Sequence, residues 1–138
     1  MMTCDEIREY RNQYNMFARY LGIETTVLEI GYARGELELK DDYKNISGST
    51  HGGCIFTLMD TIGAAAASAR GVRMTTISGD VNYLNPTLDI SKLVCEAREL
   101  KYGKKISVYS VQVYDDKENI LTTGTFSYFN LHSSYSDS

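Results

Sequence analysis

His51-Gly52-Gly53 and Asp60 are the residues of this chain whose types and spacing best suit chemistry. Asp60 is the only charged side chain between Gly52 and Ala69, inside a run carrying Ile55, Phe56, Leu58, Met59, Ile62 and Ala64 to Ala67. A carboxylate in so apolar a setting is costly unless it is hydrogen-bonded or used. Gly52 and Gly53 stand at the head of the same run. If the run is a helix, their amides have no intrahelical acceptor, they carry the positive end of its dipole, and glycine lets a carbonyl come close. That combination makes an oxyanion site for acyl transfer, where one well-placed donor is worth about a hundred- to a thousand-fold in rate. The plainer readings stand beside it: a glycine-rich helix start, and a buried acid satisfied by backbone or interface donors. His51 suits holding a scissile group or donating to a sulfur, and equally suits capping the helix. Asn45 reads most simply as a turn residue.

Spacing adds a condition. Asp60 comes eight residues after Gly52, or roughly 12 Å along a helix axis. One carbonyl cannot meet the Gly52 amide and the Asp60 of the same helix. A two-fold dimer with antiparallel central helices sets Asp60 of one subunit opposite Gly52 of the other and makes two equal sites. A catalytic reading therefore requires a homodimer.

The elements that must position these groups follow from periodicity. Ile7, Tyr10, Tyr14, Phe17 and Leu21 recur at helical spacing, which predicts an N-terminal helix over 4–21, capped by Thr3 or Asp5 and ended by Gly22. Strands are expected over 24–32 and 35–40, joined by Ala33-Arg34-Gly35 as a turn or bulge. A polar loop over 41–50 delivers the chain to the central helix. Four strands then follow, about 73–84, 91–101, 104–114 and 119–130, as an antiparallel meander. Residues 131–138 read as a frayed tail. The helix is apolar nearly all round, so it is a buried one. A single curved antiparallel sheet wrapped around it gives an α+β hotdog architecture, whose remaining helix face a second subunit would cover. Residues 1–138 read as one domain, with no repeat or linker.

The totals narrow the function. The chain has 138 residues and a net charge of −4, which gives no general footing for nucleic acid or an anionic membrane surface. The central run is diluted by Gly, Thr, Ser and Asp, which argues against a membrane span. The early charges of MMTCDEIREYR do not suit a secretory signal. Three scattered cysteines, Cys4, Cys54 and Cys95, suit a reduced, cytoplasmic protein. Two histidines and no Cys-x-x-Cys pair argue against a zinc site. There is no Gly-x-Ser-x-Gly elbow, P-loop or dinucleotide fingerprint.

The pattern Asn45-x5-His51-Gly52-Gly53-x4-Leu58-x-Asp60 closely resembles the phenylacetate-pathway (PaaI-like) hotdog acyl-CoA thioesterases. Thr75-Thr76-Ile77 through Tyr83-Leu84-Asn85-Pro86 is similar to their third strand, and Gly103-Lys104-Lys105 to a basic turn between later strands. The resemblance implies hydrolysis of acyl- or aryl-acyl-CoA with no metal or organic cofactor, in a homodimer paired into a homotetramer. It implies Asp60 as general base or nucleophile, the Gly52 N–H as the carbonyl donor with Gly53 beside it, and His51 and Asn45 as orienting groups from the opposite subunit. A strand Ser or Thr near the acid falls at Thr76. Ser78 is the alternative, placed on the same face by the period of two. Asp80 reads as structural. Lys104 and Lys105, with Arg73 behind them, are the cations for CoA phosphates, and Phe56 and Met59 are candidates for an acyl channel. A hotdog protein that binds acyl-CoA without turnover, and a hotdog dehydratase, are the competing readings. An acid on the helix favours hydrolysis.

Overall fold

The structure, a computed structural model, describes residues 1–135. Thr3 and Glu6 form a reciprocal capping box that starts α1, Cys4–Tyr14. The expected single helix is in fact two, because the chain breaks at Asn15 before α2, Met16–Leu21. From within α1, Asn12 clamps the edge of the sheet. Its side chain accepts from the Thr25 N–H (2.8 Å) and donates to the Thr25 carbonyl (2.9 Å).

Strands β1, Glu24–Glu29, and β2, Tyr32–Glu38, follow. Their turn is Ile30-Gly31, with Gly31 at φ +83°; of the stretch expected as a turn or a bulge, Arg34-Gly35 lies opposite a β-bulge between Thr25 and Val27 of β1. Gly35 lies inside β2 and faces the central helix, where a Cβ would come within 2.1 Å of Ile62 Cδ1 and 2.9 Å of the Glu24 carbonyl. It is a glycine for close approach, not for turning. After a short 3-10 turn, Asp41–Tyr43, and a polar loop comes α3, Gly52–Ala67. Ile55, Leu58, Met59, Ile62 and Ala65 to Ala67 are buried, and no helix among the described residues is long and apolar enough to cross a membrane.

Strands β3, Val72–Tyr83, β4, Lys92–Tyr102, β5, Ile106–Asp115, and β6, Ile120–Ser134, complete one antiparallel sheet in the order β1-β2-β4-β5-β6-β3. The hotdog architecture is present, but the expected four-strand meander is not. Of those four strands only β4, β5 and β6 are consecutive neighbours, while β3 pairs with β6 and forms an edge. The reason is the helix: β2 enters and β3 leaves α3 on opposite flanks, so the sheet reaches around it only if β3 to β4 is a crossing connection. That connection pins the loop before α3, since Thr87 Oγ1 accepts from the Thr50 N–H (2.8 Å). The last strand also outruns its expected end. Residues 131–134 are strand, not tail, and Tyr135 is 8% exposed, with its hydroxyl accepting from Arg11. The rest of the expected tail, 136–138, lies outside the described residues.

Beyond the last turn of α3, Arg70 is held by Glu99 of β4 (2.7 Å), which also accepts from the Tyr109 hydroxyl (2.9 Å). Gly35→Ala is expected to lower stability by about 1–3 kcal/mol, because Ile62 and the β1 carbonyl must both give way. Urea unfolding checks this, and an unchanged midpoint would refute the packing of β2 on α3.

Candidate active site

His51 is the N-cap of α3. Its Nδ1 accepts from the Gly53 N–H (2.8 Å), which places the ring proton on Nε2, and Nε2 is then left to face outward as a donor. The Cys54 and Ile55 amides return to the His51 carbonyl. The Gly52 N–H has no acceptor among the described residues. Tyr83, at the far end of β3, packs over this turn. Its hydroxyl donates to the Gly52 carbonyl (2.8 Å), and a Cβ on Gly52 would lie 3.2 Å from its ring. Asn45 is engaged in its own loop: its side-chain oxygen accepts from the Ser47 and Ser49 amides and its amide donates to Ser49 Oγ.

Asp60 lies two turns further on, half-buried on the helix face that also carries Thr57, Thr61 and Ala64. The Thr76 hydroxyl of β3 donates to Asp60 Oδ1 (2.8 Å). Tyr128 of β6, fully buried, brings its hydroxyl to 3.2 Å from the same Oδ1 and 3.1 Å from the Asp60 carbonyl. Sequence reasoning missed Tyr128. Its inward position follows from the alternation of β6, but its pairing opposite Thr76 is a matter of register. Burial first, and the Asp60 charge after it, push the Tyr128 phenol well above its ordinary pKa, so it stays a donor.

Ser78 is not on Thr76's face. A bulge between them makes Thr76 pair with Tyr128 but Ser78 with Ser127, the next residue of β6, so the period of two is broken and Ser78 turns away from α3. Asp80 and Ser78 are exposed on the outer side. Lys104 and Lys105 are exposed in the turn before β5, and the row Ile106, Phe129 and Thr75 sets that turn at the Thr76 end of the sheet. Arg73 stacks over the Tyr135 ring at 5.0 Å. Met59 is wholly buried core, and Phe56 is half-buried and packs on Phe126 with ring centroids 5.2 Å apart. A mainly apolar cavity of about 370 Å³ opens beside His51 and Gly53, against Phe17, Leu21, Tyr43 and Thr57, with Asp42 and Lys44 also in its wall.

The site is thus in two halves on one helix, a free amide at its head and a restrained carboxylate in its middle. A free amide for a carbonyl and an acid able to take a proton from water or attack directly suit acyl transfer to water. Comparison with known proteins agrees. Residues 47–122 match the thioesterase superfamily. The human acyl-coenzyme A thioesterase 13 is 30% identical over 100 residues, covering 70% of this chain and 71% of that one. The Escherichia coli acyl-coenzyme A thioesterase PaaI is 24% identical over 116 residues, 80% and 83% of the two chains. The solved E. coli PaaI structure superposes with a TM-score of 0.83 at 21% identity over 92% of this chain and 96% of that one. A Streptococcus mutans structure bound to acetyl-CoA gives 0.74 at 26% identity, over 79% and 88%.

His51→Ala removes the side-chain cap of α3 and is expected to cost about 0.5–2 kcal/mol of stability, whereas His51→Asn keeps a capping side chain and recovers most of it. Equal urea midpoints for the Ala variant and the parent would show that the cap carries no weight.

Proposed function

This chain belongs to the thioesterase superfamily and is a PaaI-like hotdog thioester hydrolase, and we propose that it hydrolyses acyl-CoA to free acid and coenzyme A at sites shared between two subunits. The observation that carries the proposal is the Thr76–Asp60 contact, which orients a carboxylate on the open flank of α3.

In this reading the thioester carbonyl oxygen lies on the Gly52 N–H of one subunit, and Asp60 of the other acts on its carbon. With water as the nucleophile, Asp60 takes the water proton as the C–O bond forms. The tetrahedral intermediate then collapses, the C–S bond breaks, and the thiolate leaves and is protonated. Direct attack by the carboxylate, followed by hydrolysis of the anhydride, gives the same products. The His51 Nε2–H is placed to donate to the sulfur or carbonyl. Asn45 serves by fixing the loop that holds His51.

Two features support a dimer. Strand β3 is an edge with Ile77 50% and Tyr83 51% exposed, a template for pairing with another chain. The face of α3 beside it carries small residues, Gly53, Thr57, Thr61 and Ala64, which suit a close second helix. Pairing two such dimers into a tetramer remains part of the proposal. The names of the relatives and the acetyl-CoA in the S. mutans structure support CoA as the carrier. Lys104 and Lys105 would meet its phosphates, with Arg73 behind them, and the cavity at Phe17 and Leu21 would receive the acyl group. Neither a metal nor an organic cofactor enters the scheme.

Asp60→Asn is expected to lower kcat for free-thiol release from a panel of acyl-CoAs by at least about a hundred-fold with the dimer intact. A fully active variant would overturn the proposal, and tight acyl-CoA binding without release by the parent would make the protein a binder.

Sharing between subunits has its own test. Gly52→Pro removes the N–H at a helix position that tolerates proline. Co-expressed with Asp60→Asn, it should restore about a quarter of parental activity, from the one intact site in each mixed dimer. No recovery, with mixed dimers isolated, would place both groups of each site in one subunit.

A further inference from the structure

The Tyr128 hydroxyl belongs to no role described so far. It is fully buried, its ring is held against Tyr109 and Phe126 at centroid distances of 6.0 and 6.5 Å, and it points at the one carboxylate on α3. We infer that Tyr128 is a positioning residue for Asp60: with Thr76 it holds Oδ1 from the sheet side and leaves Oδ2 as the oxygen presented to the thioester or to water. This rests on the proposed hydrolysis.

The terminal torsion of an aspartate is broad and roughly two-fold, so its two oxygens exchange places unless something distinguishes them. Here both hydroxyl donors fall on Oδ1, at 2.8 Å from Thr76 and 3.2 Å from Tyr128. No hydrogen bond to Oδ2 occurs among the described residues. The two donors come from one cross-strand pair, Thr76 opposite Tyr128, so the sheet register alone sets their separation. The Tyr128 hydroxyl reaches both Oδ1 (3.2 Å) and the Asp60 carbonyl (3.1 Å), which ties the residue's side chain and backbone to one rigid ring.

Gly63 makes the contact possible. It sits one helical turn beyond Asp60, and a Cβ there would lie 2.3 Å from the Tyr128 hydroxyl and 3.2 Å from Cζ. Any side chain at 63 displaces that hydroxyl. The glycine is a clearance for the donor, and its effect should pass through Tyr128.

The test uses full-length Tyr128→Phe, Gly63→Ala and their combination, with Asp60→Asn in parallel, assayed for thioester hydrolysis and thermal unfolding. Tyr128→Phe should lower kcat about ten-fold, the size expected for one hydrogen bond to a charged group, with KM unchanged within about two-fold and the fold retained. Gly63→Ala should lower kcat similarly in the parent and add little in the Phe background, because there the displaced hydroxyl is already gone. Loss of thermal stability with kcat unchanged would overturn the inference and leave Tyr128 as an anchor for the α3 backbone. Additive effects of the two substitutions would overturn the clearance role of Gly63. If Asp60→Asn itself is active, the hydrolysis reading falls. If Asp60→Asn is dead and Tyr128→Phe is not impaired, only the positioning role falls.

Discussion

Everything in this molecule depends on burying one apolar helix with one sheet. Helix α3 carries Leu58, Met59, Ile62 and Ala65 to Ala67, all with no exposure. A flat sheet covers one side of such a helix, so six strands curl to reach further round it. The demand explains the strand order, since β2 and β3 must flank α3 on opposite sides while β4, β5 and β6 span between them. It also explains the glycines at the contact. Gly35 of β2 receives Ile62, and Gly63 of α3 receives Tyr128.

The same demand leaves a gap, and the candidate site lies in it. One sheet does not close around a helix, so a flank of α3 stays open along β3. The polar residues of the helix, Thr57, Asp60 and Thr61, lie on that flank. Asp60 escapes the full cost of burial by its place at the opening, and the strand beside it supplies hydroxyls in place of lost water. At the head of the helix the logic is reversed. His51 and Tyr83 engage the neighbouring groups of the first turn and leave the Gly52 amide without an acceptor among the described residues. An amide donor and a carboxylate kept apart on one rigid rod are what a two-fold assembly brings together.

Much of this was legible in the chain. The run from Gly52 to Ala69 announces the helix, its single acid and its glycine head, and the strands were placed to within a few residues. The misreadings have definite causes. Asn15, at φ −78° and ψ 88°, breaks a helix whose apolar spacing continues through it, so periodicity does not register the break. Gly35 looks like a turn residue because a glycine needed for close approach and one needed for a positive φ are the same letter. The strand after Leu131 is masked by His and Ser, which suit a tail until Tyr135 packs against α1.

Sequence by itself singled out which residues suit chemistry and how far apart two of them lie, because helix rise is fixed and a carboxylate among apolar residues stands out. It determined the hotdog class, because a helix apolar all round followed by strands has few ways to be covered. Tertiary structure alone decided what touches Asp60. One bulge at Ile77 turns Ser78 outward while Thr76 stays inward, and one pairing sets Tyr128, distant in sequence, across from it. Register is settled by the sum of contacts over the whole sheet, and no local pattern in β3 or β6 encodes it.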